Sequence, residues 1–331
     1  MAATTSPIKL DFTTVDVFTT TRYKGNPLAV VSVPYQTRPL ITQEIKQRIA
    51  REFNLSETVF LHGTEDESAT TRDIDIFTTE EELPFAGHPT VGTAYLVLNK
   101  IAPRVNTLQT KAGPIAIQPL GDGDVKATIP HAVHIHAHTL TEILSNGEAS
   151  TQSLIQSALS SDAVIREAEL GARPVSIVRG MTFLLVQLPT LDHLSRVSTT
   201  QRLDFGSVPG LMDKGEWEAG FVARYYYVVS EDSPAVDSET ETQKWKIQTR
   251  MVELGFEDPA TGSAACTLGS YLALTNGGQK HHFDITQGVE MGRKSDIQVD
   301  VTTTVDGEEE NVKEVFLGGT AVEVMSGSIV V

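Results

Sequence analysis

The chain has 331 residues, of which 40% are hydrophobic and 21% charged, so it is long enough for two domains with full hydrophobic cores. Its formal net charge of -17 at pH 7 argues against nucleic acid or an anionic membrane as a partner, because no basic cluster is available to release counterions. A single cysteine excludes an internal disulfide and a cysteine-rich zinc cluster.

The amino-terminal segment carries no targeting signal. Residues 1–7 have neither the basic region nor the apolar core of a signal peptide. No other stretch is apolar over the length that a membrane-spanning helix needs. We therefore expect a cytoplasmic protein.

Short apolar runs separated by turn signals predict that the first half is rich in strands. One amphipathic helix is indicated by Ile41, Ile45 and Ile49, which share a helical face. The predicted elements are strands at 14–18 and 28–33, a helix at 41–51, strands at 58–62 and 73–78, an apolar helix from residue 88, and strands at 108–111, 115–119 and 125–129.

The second half repeats this theme after a crossover segment at 130–138. The predicted elements are a polar helix at 151–159, strands at 175–178, 183–188, 225–230 and 245–252, an apolar helix after Pro259, and strands at 321–325 and 328–331. In the crossover, His134, His136 and His138 alternate on one strand face. No second ligand cluster accompanies them, so we favour a surface strand or linker over a metal site.

Both predicted apolar helices begin with the pattern x-Pro-x-x-Gly-[Ser/Thr]-Ala, in which x before the proline is His88 in the first copy and Asp258 in the second. Helices without charge on any face are expected to be buried. The half-chain spacing of the two copies favours a duplicated domain over coincidence. A titratable residue at each buried helix N-terminus lies where backbone amides and the helix dipole favour an anion.

Five blocks along nearly the whole chain carry a family resemblance. They are Val15-Asp16-Val17-Phe18 with Gly25-Asn26-Pro27-Leu28-Ala29-Val30, then Asn54-Leu55-Ser56-Glu57-Thr58-Val59-Phe60, Leu83-Pro84-Phe85-Ala86-Gly87-His88-Pro89-Thr90, Glu257-Asp258-Pro259-Ala260-Thr261-Gly262-Ser263-Ala264, and Gln287-Gly288 with Met291-Gly292-Arg293. In this order they resemble the phenazine-biosynthesis isomerase (PhzF-like) family.

The resemblance implies the diaminopimelate-epimerase fold, an α+β architecture. It has two pseudo-symmetric domains, each a barrel-like mixed β-sheet wrapped around a central apolar α-helix. We expect residues 1–132 with 318–331 to form one half and residues 133–317 the other, with the active site in the cleft between them.

The resemblance also implies the site residues. The family's acid/base carboxylate lies just before the Asn-Leu-Ser-Glu-Thr block, a place that Glu52 occupies, and His88 and Asp258 match the family's histidine and aspartate. We expect substrate contacts from Asn26, Gly87, Thr93, Thr261, Gly262 and Ser263. Neither helix start has a cysteine and Cys266 lies a turn too deep, so a two-thiol racemase is disfavoured.

Three functions remain open. The first is an isomerase or epimerase that shifts a proton on a small carboxylate by general acid/base catalysis, without metal or organic cofactor. The second is a lyase or cyclase that uses the same base, and the third is a binding protein without turnover. We expect a homodimer with a small-molecule carboxylate as substrate, and neither nucleic acid nor membrane as partner.

Overall fold

The computed structural model describes residues 7–200, 203–218, 220–306 and 309–331. The first six residues, which belong to the segment in which we expect no signal peptide, lie outside the described residues. The chain divides into two compact units, Met1–Thr128 with Leu317–Val331 and Ile129–Phe316. The sequence placed the corresponding boundaries after residues 132 and 317.

The first unit contains a mixed sheet and two α-helices. Its elements are β1 (Lys9–Val17), β2 (Asn26–Val33), α1 (Gln43–Phe53), β3 (Thr58–His62), β4 (Thr71–Phe77), β5 (Glu82–Leu83), α2 (Gly87–Leu96), β6 (Thr107–Thr110), β7 (Gly113–Gly121), β8 (Asp124–Thr128) and β19 (Ala321–Val330). A 3₁₀-helix at Tyr35–Leu40 precedes α1, and a π-helical turn at Val97–Ile101 follows α2.

The second unit contains a second mixed sheet and five α-helices among its described residues. Its elements are β9 (His134–Ile135), α3 (Leu140–Asn146), α4 (Ala149–Ala158), α5 (Ala163–Gly171), β10 (Arg173–Val178), β11 (Met181–Gln187), α6 (Leu191–Ser195), β12 (Phe221–Val229), β13 (Ala235–Asp237), β14 (Thr242–Glu253), β15 (Phe256–Asp258), α7 (Gly262–Asn276), β16 (Lys280–Gln287) and β17 (Ser295–Asp306). A further strand, β18 (Glu309–Gly319), runs across the boundary between the units.

The two sheets repeat one order of strand pairing. In the first unit the order is β19-β1-β2-β3-β4-β6-β7, and only β2–β3 and β4–β6 are parallel. In the second unit the order is β9-β10-β11-β12-β14-β16-β17, and only β11–β12 and β14–β16 are parallel. In each unit a short strand, β5 or β15, pairs back before the apolar helix. The predicted duplication is therefore confirmed.

Each sheet is covered on both faces. The apolar helix α2 contacts β1, β2, β3 and β8, while α7 contacts β10, β11, β16 and β17. On the other side, α1 belongs to a separate core cluster with β2 and β3, and α3 to α6 pack with β11 and β12. Two-sided burial explains why all five residues of β3 are buried instead of alternating.

The two apolar helices are buried almost along their whole length, as the absence of charge predicted. Their approach to the strands requires glycine. A Cβ on Gly92 would lie 2.7 Å from side-chain carbons of Leu28 and Val17, and one on Gly269 would lie 3.1 Å from the Phe283 ring. No helix in the described ranges is long and apolar enough to cross a membrane.

One predicted feature differs in the structure. The predicted strands at 321–325 and 328–331 are one continuous strand, β19. Ser326 and Gly327 lie between the two predicted strands, but pairing with β1 continues through both residues. Pairing with a long neighbour thus outweighs low local strand propensity.

A buried charged cluster fixes α1 against β4. Lys46 on α1 and His62 on β3 both contact Asp75 Oδ2, with 2.6 Å between that oxygen and His62 Nε2. Burial alone would raise the pKa of Asp75, but the hydrogen bonds from His62 and Lys46 outweigh burial and hold the pKa at about 2. The cluster therefore sets the position of the helix that leads into β3.

Replacing Asp75 with Asn is expected to lower the free energy of unfolding by about 2–4 kcal/mol, because it leaves the buried Lys46 ammonium without its counterion. Asp73→Asn is the matched control two residues earlier on β4. Its partner Arg38 is exposed, so the expected loss is under about 1 kcal/mol. Urea unfolding at pH 7 measures both, and equal losses would contradict the buried-cluster account.

The wild-type contribution of Asp75 also has a defined pH dependence. Its pKa in the folded protein is below the ordinary value of 3.8, so the stabilisation is complete above that value and is lost as the pH falls toward 2. The difference in unfolding free energy between wild type and Asp75→Asn should shrink over that range.

Candidate functional site

The carboxylate of Glu57 and the imidazole of His88 lie side by side in the first unit. Helix α1 ends at Asn54, which adopts a left-handed conformation with φ of 51°, and three residues later Glu57 directly precedes β3. His88 is the second residue of α2. Glu57 Oε2 lies 3.6 Å from His88 Nε2. Two titratable groups thus meet at the start of the buried helix.

The environment of Glu57 favours its protonated form. Its side chain is 17% exposed, and the buried Oε2 accepts no hydrogen bond from the described part of the chain. Burial raises the pKa of Glu57 above the ordinary 4.5, and a hydrogen bond with Ser56 opposes that rise only in part. A carboxyl group with a raised pKa is a stronger proton acceptor once it is ionised than an exposed carboxyl group.

Asn26 contacts the other ring nitrogen of His88. The Asn26 amide Nδ2 lies 3.5 Å from His88 Nδ1, and both residues are buried. Nε2 is the ring nitrogen that lies near Glu57 Oε2. The first residue of β2 therefore holds the imidazole at the nitrogen that does not face the carboxylate.

In the second unit, Asp258 occupies the position that matches His88. It is the last residue of β15 and is 8% exposed. Thr261 donates its hydroxyl proton to Asp258 Oδ2 over 2.5 Å. Thr261 is the N-cap residue of α7, but its side chain makes no capping hydrogen bond. The hydroxyl binds the carboxylate instead.

The other predicted substrate-contacting residues are distributed along the two helices. Gly87 and Gly262 are the first residues of α2 and α7 and are buried, and Ser263 follows Gly262 and is half-buried. Thr93 is fully buried and lies more than a turn into α2, so it is not at the helix start. The structure brings Asn26 to His88 and Thr261 to Asp258.

The structure does not place Glu52 with these residues. Glu52 lies in the last turn of α1 and is exposed, whereas Ile49 and Phe53 of the same turn face the core cluster. The prediction chose the carboxylate before the Asn-Leu-Ser-Glu-Thr block, but the one that reaches His88 is Glu57, inside the block. In the sequence, Glu57 could have been found from its position directly before a strand in which apolar and polar residues do not alternate.

Three potential metal ligands lie together in the second unit, namely His134, His136 and Asp213. His134 Nε2 lies 2.8 Å from Asp213 Oδ2. Both nitrogens of the buried His136 already have partners, since Nδ1 accepts from the Asp213 amide and Nε2 lies 2.9 Å from Ser176 Oγ. Burial lowers the pKa of His136 to about 4. The hydrogen bonds of this cluster thus connect β9 to the loop at 211–217.

Cys266 is fully buried on α7, and burial raises the pKa of its thiol. A thiol in that environment is not ionised near neutral pH and is a poor nucleophile. Its position agrees with the interpretation of Cys266 as a packing residue.

Replacing Glu57 with Gln should change the pH dependence of stability in one direction. Because the pKa of Glu57 in the folded protein is raised, the wild type loses stability relative to Glu57→Gln as the pH rises above about 4.5. Urea unfolding at pH 5 and pH 8 gives the two differences. The control is Glu52→Gln, at the exposed carboxylate of α1, whose difference should stay constant. A constant difference for Glu57→Gln would contradict desolvation of Glu57.

Comparisons with known proteins give the family. The profile described as phenazine biosynthesis-like protein, PhzC-PhzF, matches residues 15–327. An uncharacterized isomerase of Pasteurella multocida is 30% identical over 96% of this chain and 93% of its own length. The trans-2,3-dihydro-3-hydroxyanthranilate isomerase of Pseudomonas fluorescens is 28% identical over 97% and 99%. The structure of a predicted epimerase from Pseudomonas aeruginosa superposes with a TM-score of 0.66 at 25% identity, over 97% and 99%. The chain therefore belongs to the phenazine biosynthesis-like (PhzC-PhzF) family of isomerase- and epimerase-type enzymes.

Proposed function

We propose that the protein is an isomerase or epimerase that moves a proton on a small carboxylate-bearing metabolite by general acid/base catalysis, without metal or organic cofactor. The observation that carries the proposal is the buried Glu57 carboxyl group, whose raised pKa and position 3.6 Å from His88 Nε2 suit a proton carrier. In this proposal Glu57 takes the acid/base role that the sequence assigned to Glu52.

The remaining groups have complementary roles. Ionised Glu57 removes a proton from the carbon beside the substrate carboxylate, and the resulting carboxylic acid returns the proton to another carbon or to the opposite face. His88, whose Nε2 lies 3.6 Å from Glu57 Oε2, supports the carboxylate form during the reaction. Asp258, at the matching helix start of the second unit, is the second proton-handling group. In each unit, the N-terminus of the buried helix favours negative charge at its own start.

The test measures uptake of solvent deuterium. The first probe is trans-2,3-dihydro-3-hydroxyanthranilate, the substrate in the name of the Pseudomonas fluorescens relative, followed by the common L-amino acids. Proton NMR in deuterated water should show loss of a carbon-bound proton signal with wild-type enzyme. In Glu57→Gln the rate should fall by roughly 10²-fold to 10⁴-fold, the usual share of general acid/base catalysis.

The matched control is Glu52→Gln, which changes an exposed carboxylate five residues earlier and should leave the rate unchanged. The proposal is wrong if no probe exchanges with wild-type enzyme. It is equally wrong if folded Glu57→Gln keeps the wild-type rate. Product analysis in the same NMR samples separates an isomerase or epimerase from a lyase or cyclase, because only the latter changes the carbon skeleton or releases a fragment.

The homodimer, the cytoplasmic location and the absence of nucleic-acid or membrane partners stay predictions from the sequence. Analytical ultracentrifugation of the purified protein measures the first of these. A species at the mass of one 35.9 kDa chain at micromolar concentration would contradict the dimer.

A further inference from the structure

Gln287 is a fully buried polar residue that the proposed chemistry does not use. It is the last residue of β16, where the chain turns back toward β17. The next residue, Gly288, has φ of +75°, and a Cβ there would lie 2.6 Å from the carbonyl oxygen of Pro259. The turn after Gln287 is therefore pressed against the segment that links Asp258 to α7.

All four hydrogen-bonding positions of the Gln287 amide are occupied. Its Nε2 donates to the carbonyl oxygen of Asp258 over 2.8 Å and to Thr261 Oγ1 over 3.0 Å. Its Oε1 accepts from the Thr261 backbone amide over 3.2 Å and from the Tyr225 hydroxyl over 3.1 Å. A primary amide has two donors and two acceptor sites, so none is left over.

The backbone contacts fix which end of the amide is which. A backbone N–H can only donate and a carbonyl oxygen can only accept. Rotating the Gln287 amide by 180° would therefore place its Nε2 against the Thr261 N–H, which are both donors. It would also place its Oε1 against the Asp258 carbonyl oxygen, which are both acceptors. The orientation is decided by these two groups and not by the side chains around it. Gln287 Nε2 must consequently donate to Thr261 Oγ1.

The Thr261 hydroxyl connects Gln287 to the Asp258 side chain. Thr261 Oγ1 accepts from Gln287 Nε2 over 3.0 Å and donates its own proton to Asp258 Oδ2 over 2.5 Å. The Asp258 carboxylate is therefore held by a hydroxyl that Gln287 fixes in place.

We propose that Gln287 is a positioning residue of the enzyme. Acting through the Thr261 hydroxyl, which donates to Asp258 Oδ2, it holds the Asp258 carboxylate in the orientation that proton transfer requires. This inference rests on the proposed proton-transfer function and adds to it the residue that orients the Asp258 carboxylate. Gln287 itself touches neither the substrate nor the transferred proton.

A purely structural role for Gln287 would make a different prediction. Its bonds to the backbone of Asp258 and Thr261 would stabilise the turn whether or not the Thr261 hydroxyl is present. Substitutions of Thr261 therefore distinguish the positioning role of Gln287 from the purely structural role. Thr261→Val removes the hydroxyl and keeps both backbone contacts of Gln287, whereas Thr261→Ser keeps the hydroxyl.

The kinetic experiment uses the deuterium-exchange assay with the probe that wild-type enzyme turns over. Thr261→Val and Gln287→Met should each lower kcat by roughly 10-fold to 10²-fold with little change in KM, as expected for a misplaced reacting group. Thr261→Ser should retain most of the wild-type kcat. The double variant Gln287→Met with Thr261→Val should be no slower than the slower single variant, because both changes break one connection.

Ser295→Ala is the matched control. Ser295 is also fully buried, and its hydroxyl donates to the carbonyl oxygens of Pro259 and Arg293 in the same turn without touching the Asp258 carboxylate. Its loss should lower the melting temperature and leave kcat close to wild type. If Ser295→Ala lowers kcat as much as Gln287→Met, the effect is general loosening of the turn and the proposal is overturned.

A crystal structure of Gln287→Met gives a readout that does not depend on activity. We expect Thr261 to rotate and its hydroxyl to leave Asp258 Oδ2. A retained contact of 2.5 Å would overturn the inference even if the enzyme were active. Losses that multiply in the double variant, or a folded Thr261→Val with wild-type kcat, would also overturn it.

The failures of the two proposals are distinguishable. If wild-type enzyme exchanges no deuterium into any probe, the proposed function fails, and the crystal structure still tests the arrangement around Asp258. If wild-type enzyme is active but Thr261→Val matches it, only the positioning inference fails. Should Gln287→Met not fold, the Thr261→Val and Thr261→Ser pair decides the outcome.

Discussion

Each half of this protein depends on enclosing one uncharged helix within a sheet. A helix buried on every side keeps its positive N-terminal end away from water, so the residues just before it must provide the polar partners that solvent would otherwise supply. In both units a short strand pairs back on its neighbour and delivers a titratable residue at that point, His88 in the first and Asp258 in the second. The positions of these two titratable residues thus follow from the way the fold buries its helices.

The two units have the same order of strand pairing but use different side chains as polar partners at the helix start. In the first, His88 is held by Asn26 from β2 and faces Glu57 at the start of β3. In the second, Asp258 is held by Thr261, which is fixed in turn by Gln287 from β16. The pairing order of the strands is conserved between the halves, while the polar contacts are not. The same order of strand pairing therefore holds two helix starts that are chemically distinct.

Much of this could be predicted from the sequence because the signals were local. The repeated x-Pro-x-x-Gly-[Ser/Thr]-Ala pattern and the absence of charge after it predicted two buried helices. The position of Glu52 shows where local reasoning fails, since the carboxylate was chosen by its place before a block and not by the face of α1. The helical period already separates Glu52 from the buried stripe of Ile45, Ile49 and Phe53. Because the apolar face of α1 excludes Glu52, it favours Glu57, directly before β3, as the candidate carboxylate.

The arrangement around Asp258 could not be predicted in the same way. Gln287 is 26 residues from Thr261 and 62 residues from Tyr225 in the sequence, so only the folded sheet brings them together. The sequence also does not show how the amide of a buried glutamine is oriented, because a 180° rotation exchanges its oxygen and its nitrogen. Here the backbone of Asp258 and Thr261 removes that freedom, and the Thr261 hydroxyl connects the oriented amide to the Asp258 carboxylate. Main-chain groups therefore set the orientation of the side chains that hold Asp258.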